Sequence, residues 1–110
     1  MGDALRLGGY LVTPAEIETY LQRHDAVEAA QVVGLVIEGA LRPVAFVTLR
    51  PGATLDPEKA RRFCAAGLAR FKVPAAIFPI DAFPTTQSAN GVKIQKTKLR
   101  ELAEARLRSR

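Results

Sequence analysis

The chain has 110 residues, 48% of them hydrophobic and 25% charged, with 16 Lys and Arg against 11 Asp and Glu for a formal net charge of +5. Such a balance suits one domain with a modest core and excludes wholesale disorder. A single cysteine, Cys64, excludes an internal disulfide and a cysteine metal cluster and fits a reducing, cytoplasmic setting, while no signal peptide and no uninterrupted apolar run of ~20 residues is present.

Met1 to Arg6 has no cap, turn pair or periodicity and reads like a cut. Gly8-Gly9 permits a positive φ or a close backbone approach, and serves equally as a plain turn before a short strand at Tyr10-Leu11-Val12. Thr13-Pro14-Ala15-Glu16 has the form of a capping box with proline at the first helical position. The helix it starts buries Ile17, Tyr20, Leu21 and His24 and ends near Asp25, with His24 packing or capping. Val27 to Ile37 is β-branched and too apolar for an exposed helix, so it is expected as a central strand. Glu38-Gly39-Ala40 turns the chain, and Pro43 to Leu49 returns as a second, antiparallel strand. Asp56-Pro57 caps a further helix with Ala60, Phe63, Cys64, Gly67, Leu68 and Phe71 on one stripe, which places Cys64 in the core. Lys72-Val73-Pro74 stops that helix, and Ala76 to Ile80 is a strand whose Pro79 requires a sheet edge or strand end.

Asp81 to Asn90 is expected as a polar loop, a location where function is often carried. Asn90-Gly91 is a turn pair, after which Val92 and Ile94 alternate toward an apolar surface while Lys93 and Gln95 point away. Leu99, Leu102, Ala103 and Leu107 then mark an amphipathic terminal helix, with Thr97 as its cap and Arg100, Arg106 and Arg108 in water. Seven of the 16 basic residues lie in 91–110 against Glu101 and Glu104, so this stretch holds the entire net charge. It contains no aromatic residue, and so lacks the stacking platform of a single-strand binder; a phosphate-bearing small molecule suits it as well as nucleic acid does. The order of elements predicts an α+β domain: a small mixed or antiparallel sheet of about three strands with helices packed on it, plus a C-terminal lysine-bearing loop or hairpin.

The series Gly8-Gly9, Val12-Thr13-Pro14-Ala15-Glu16-Ile17-Glu18, His24-Asp25-Ala26-Val27, Ala30-Gln31-Val32-Val33-Gly34, Pro43-Val44-Ala45-Phe46-Val47, Leu68 to Pro74, Phe83-Pro84-Thr85-Thr86 and Gly91-Val92-Lys93-Ile94 resembles the C-terminal domain of AMP-forming acyl-CoA synthetases. Their superfamily also includes peptide-synthetase adenylation domains and luciferases. The resemblance implies a parent ligase that joins a carboxylic acid to ATP as an acyl-adenylate and then passes the acyl group to coenzyme A. It further implies that a large N-terminal adenylation domain, absent from this chain, binds ATP, Mg2+ and the acid, and that residues 1–110 form a lid that binds no cofactor alone and is inactive in isolation. Lys93 matches the adenylation lysine, Gly8 and Gly9 the loop along the pantetheine of coenzyme A, and Gly2 beside Asp3 the hinge. Val92 stands between Gly91 and Lys93 where most members read Gly-Lys, so Lys96 and then Lys98 are next in order for the lysine's role. The rival from a different class is a freestanding basic module for RNA or an acidic partner.

Overall fold

The computed structural model describes residues 5–7 and 10–108. Leu5–Leu7, featureless in sequence, forms strand β1 and pairs antiparallel with β2 (Tyr10–Val12), Leu5 opposite Val12 and Leu7 opposite Tyr10. Three residues are too few to display a period, so only the partner strand reveals the element. Helix α1 (Pro14–Leu21) begins as expected, with Thr13 in the extended N-cap conformation and Pro14 in the first turn. The capping box does not form: Thr13 contributes only its carbonyl, which accepts the Glu16 N–H at 3.1 Å. The Glu16 carboxylate accepts from Lys72 Nζ at 2.6 Å, because a cation is a stronger partner than a neutral backbone N–H. The helix ends at Leu21, short of Asp25, as the N–H groups of Arg23 and His24 turn to carbonyls three residues back, on Tyr20 and Leu21. His24 both packs and caps: its ring meets Phe63 edge-on at 5.0 Å and Nδ1 accepts the Ala26 N–H at 3.1 Å.

The long apolar run is strand β3 (Val27–Ile37), followed by β4 (Ala40–Leu49) in antiparallel register with Val32 opposite Ala45. Their turn is the pair Glu38-Gly39, with φ of 51° and 83°, so β4 starts at Ala40 and not at Pro43. A two-residue turn with both φ values positive matches the twist of the flanking strands, which is why the hairpin closes so tightly. A bulge at Glu28 sets the phase of β3: Val27 faces Leu49 while Ala29 already faces Thr48. The extra residue lets Val27, Ala30 and Val32 share one face although their spacing is uneven.

Helix α2 (Pro57–Gly67) is capped by Asp56, whose Oδ1 accepts the Glu58 N–H at 3.0 Å. It stops at Gly67, before the expected Lys72-Val73-Pro74, and a 3-10 turn at Arg70–Lys72 fills the gap. Cys64 is fully buried on its inner face. Burial pushes the thiol up to about 11, with the nearby Arg61 charge opposing, so little reactive thiolate exists at neutral pH. Strand β5 (Ala76–Pro79) adds in parallel beside β4, at the sheet edge and with Pro79 as its last residue, as the proline requires. Strands β6 (Thr85–Ser88) and β7 (Gly91–Ile94) pair as a separate hairpin, and helix α3 (Lys96–Arg108) closes the described chain.

The result is an α+β domain around a mixed three-stranded sheet in the order β3-β4-β5. On one face α1 and α2 bring Ile17, Leu21, Ala60 and Cys64 onto Val27, Val32, Val47 and Ile77. On the other, α3 seats Leu99 and Ala103 on Val33, Leu35, Val44 and Phe46. Among the described residues no helix is long and apolar enough to cross a membrane.

Candidate functional site

Four residues of the expected loop before Lys93, Thr85–Ser88, are strand. Residues Thr85–Ser88 run back along Gly91–Ile94, and the bond from Gln95 N–H to the Pro84 carbonyl at 2.9 Å extends the ladder. Polar residues forming a two-stranded ribbon in solvent lack the apolar alternation that marks a strand in sequence. The turn falls on Ala89-Asn90, one residue earlier than the Asn90-Gly91 pair predicts, and Gly91 takes the positive φ of 115° as the first residue of β7. Ser88 steadies this corner, its Oγ donating to the Gly91 carbonyl at 3.0 Å and accepting the Asn90 N–H at 3.3 Å.

Val92 does not reach an apolar surface; it is 64% exposed. The ribbon is held at its base, where Phe83 and Ile94 pack against the α3 side of the sheet, and everything nearer the tip is in water. Lys93 therefore lies one residue beyond the last packed position, opposite Thr86, exposed. It makes no side-chain hydrogen bond or ion pair with the described residues, so its ammonium is available.

A cleft of about 750 Å³ separates the ribbon from the edge of the sheet. Val32, Val33 and Gly34 of β3 line one side and Thr86, Lys93 and Ile94 the other, with Lys96, Lys98 and Arg100 at the foot of α3. Four cations around one concavity, with no aromatic in the lining, suit phosphate or carboxylate oxygens and offer a nucleobase nothing to stack on. Thr97 is not the helix cap. Lys96 begins the helix, the Gln95 carbonyl accepts the N–H groups of Lys98 and Leu99, and Thr97 Oγ1 accepts from Arg100 Nη2 at 3.2 Å. Arg106, expected in water, is half-buried: its guanidinium lies 5.2 Å from the Phe78 ring centre and donates to the Pro79 carbonyl at 3.5 Å. A flat, weakly hydrated guanidinium covers an aromatic ring at little cost.

Lys96 is held very differently from Lys93. Its Nζ donates to Glu18 Oε2 at 3.2 Å and to the Val32 carbonyl at 3.1 Å, while the same Glu18 oxygen accepts the Val32 N–H at 2.8 Å. Sequence reasoning misses this junction because its members lie 14 to 78 residues apart. The one available signal is that α3 opens with lysine and no acidic residue in its first turn, against the helix dipole, which calls for a carboxylate from elsewhere. Gly2, Asp3, Gly8 and Gly9 lie outside the described residues. Among the described residues no group of three His, Cys, Asp or Glu is placed to hold a metal ion.

Fold and cleft together define a small α+β domain that carries an exposed lysine on a ribbon beside a cation-lined cleft. The chain belongs to the AMP-binding enzyme C-terminal domain family, whose model matches residues 16–90. Domains of this kind are carried by AMP-forming acyl-CoA ligases. Residues of this chain are 36% identical over 107 positions to the mitochondrial medium-chain acyl-CoA ligase ACSF2 of Rattus norvegicus, covering 96% of the chain and 17% of that protein. They are 38% identical over 102 positions to the 2-succinylbenzoate–CoA ligase of a Geobacillus strain, covering 91% and 20%. The fold superposes on ATP-bound MatB from Rhodopseudomonas palustris with a TM-score of 0.79 and 29% identity, over 92% of this chain and 20% of that one. The chain thus spans about a fifth of the length of the proteins it matches. The alternative of a freestanding module for RNA or an acidic partner finds no support in these relatives.

Proposed function

We propose that this chain is the mobile lid of an AMP-forming acyl-CoA synthetase and that Lys93 is its adenylation lysine. In the first half-reaction a carboxylate oxygen attacks the α-phosphorus of ATP, the bond to the bridging oxygen breaks, and pyrophosphate leaves. In the second, the coenzyme A sulfur attacks the acyl carbon and AMP leaves, the thiol proton passing to solvent or phosphate. The first step drives a negative nucleophile toward a negative phosphate. An unpaired ammonium on an exposed ribbon, free to enter a closed site, offsets that repulsion and orients the two groups. The observation that carries the reading is the contrast in the cleft: Lys96 is held by Glu18 and the Val32 carbonyl, whereas Lys93, three residues earlier, is exposed on the open ribbon.

The same reading gives Gly8 and Gly9 to the loop along the pantetheine arm and Gly2 with Asp3 to the hinge, on the strength of the motif order alone. It gives ATP, Mg2+ and the acid to an N-terminal adenylation domain, a reading supported by the chain's match to about a fifth of the length of acyl-CoA ligases. Bound there, Mg2+ supplies charge neutralisation on the phosphates. The single, buried, unpaired Cys64 suits a reducing compartment such as the cytoplasm.

The test is to assay the whole parent beside residues 1–110. The parent exchanges labelled pyrophosphate into ATP only when its acid is present, and releases AMP with each thioester formed. The isolated chain does neither. Release of ADP and phosphate by the parent, or exchange by the isolated chain, contradicts the proposal.

A further inference from the structure

We propose that Glu18 and Lys96 form a clip that sets the position of the Lys93 ribbon, making Lys96 a positioning residue for adenylation. This rests on the reading of Lys93 given above. Strand β3 is an edge of the sheet, and at Val32 both backbone groups point away from β4. An edge residue ordinarily leaves this pair to water or to another strand. Here a carboxylate takes the N–H and an ammonium takes the carbonyl, and the two side chains close on each other at 3.2 Å. The ring ties three elements together: α1 through Glu18, β3 through Val32, and the start of α3 through Lys96. Both side chains are about four-fifths covered, at 17% and 21% exposed, so the bonds are shielded from competing water.

Its mechanical consequence follows from what else holds the ribbon. Among the described residues, Phe83 and Ile94 at its base are the apolar side chains packed on the sheet, and apolar contact is non-directional. Lys96 lies two residues past Ile94, at the point where strand becomes helix. Its two directional bonds fix the orientation in which β7 leaves the body, and with it where the Lys93 ammonium can reach. A lysine in the first turn is unfavourable for α3 by itself, so this position is occupied for what it holds.

The experiment uses the full-length parent with Lys96→Met, Glu18→Ala, the double variant, Lys96→Arg and, in parallel, Lys93→Ala, each assayed in both half-reactions. The clip predicts that Lys96→Met lowers kcat for adenylate formation by about ten- to a hundredfold with KM for ATP and acid nearly unchanged, the scale of a small misplacement of a reacting group. Thioester formation from supplied acyl-adenylate stays near the wild-type rate. Glu18→Ala, remote from the ribbon, produces a similar loss, and the double variant is no worse than the poorer single one, since both break one junction. Lys96→Arg, which can donate to both partners, restores most of the rate. Full adenylation in Lys96→Met, equal loss in both half-reactions, or additive losses in the double variant each overturn the clip while leaving Lys93→Ala impaired. Full adenylation in Lys93→Ala overturns the reading of Lys93 instead, and the clip with it.

Discussion

Replacing Lys93 with alanine in the parent slows acyl-adenylate formation by about 10²–10³-fold, equivalent to about 2.7–4 kcal/mol of lost transition-state stabilisation, the scale seen when one preorganised donor is removed from developing charge. The loss is expected on kcat, because in the proposed role the ammonium acts on the reacting oxygens and not on the initial capture of ATP. Thioester formation from supplied acyl-adenylate continues near its normal rate, since the role proposed for Lys93 belongs to the first half-reaction alone. A single-turnover assay of each half-reaction separates the two. Lys98→Ala is the matched control: it removes a cation from the same cleft, on the first turn of α3 and off the ribbon, and leaves adenylation largely intact. The fold stays intact in both variants, as Lys93 and Lys98 are exposed.

Phe46→Ala acts on the fold and has the largest expected effect on stability. Phe46 is fully buried in the middle strand of the sheet, in the cluster that seats Leu99 and Ala103 of α3, and its ring lies 5.5 Å from that of Phe78. Truncating a buried phenylalanine costs about 3–5 kcal/mol, transfer and cavity together. A domain of this size has a total stability of about 5–15 kcal/mol, so the variant approaches its unfolding midpoint in mild denaturant. Urea titration followed by circular dichroism measures the loss. Val92→Ala provides the comparison, since a residue 64% exposed changes stability by no more than about 0.5 kcal/mol. An effect of Phe46→Ala as small as that of Val92→Ala would mean that α3 is not docked on this face.

Wherever a periodic pattern met a buried face, the elements were legible. The β-branched run 27–37, the stripe through Ala60 and Cys64, and the stripe through Leu99 and Ala103 bury most of the residues that their spacing implies, although Val36, Gly67 and Leu102 are exposed. The motif around Lys93 singled it out in the sequence, and the structure places it exposed on the ribbon beside the cleft. What sequence did not disclose depended on partners remote in the chain. Glu16 was expected to cap its own helix and instead pairs with Lys72, 56 residues away. Thr85–Ser88 is polar throughout, so it has no period to read, and it is evident as a strand only from its pairing with Gly91–Ile94. The Glu18–Lys96 junction is the extreme case, because neither residue stands out until Val32 is seen between them. Arg106 shows the same limit on a smaller scale: helical spacing sent it to solvent, and a neighbouring aromatic ring kept it.

The claim that the ribbon delivers Lys93 into a closed adenylation site is tested most directly by lysine footprinting of the full-length parent. An amine-acylating reagent is applied with and without the acid, Mg2+ and an ATP analogue whose α,β-bridge is methylene, and modification at each lysine is read by mass spectrometry. The account predicts that Lys93 becomes strongly protected when the three ligands are present together, while Lys98 and Lys59 react as before. Undiminished labelling of Lys93 in the loaded enzyme would contradict it.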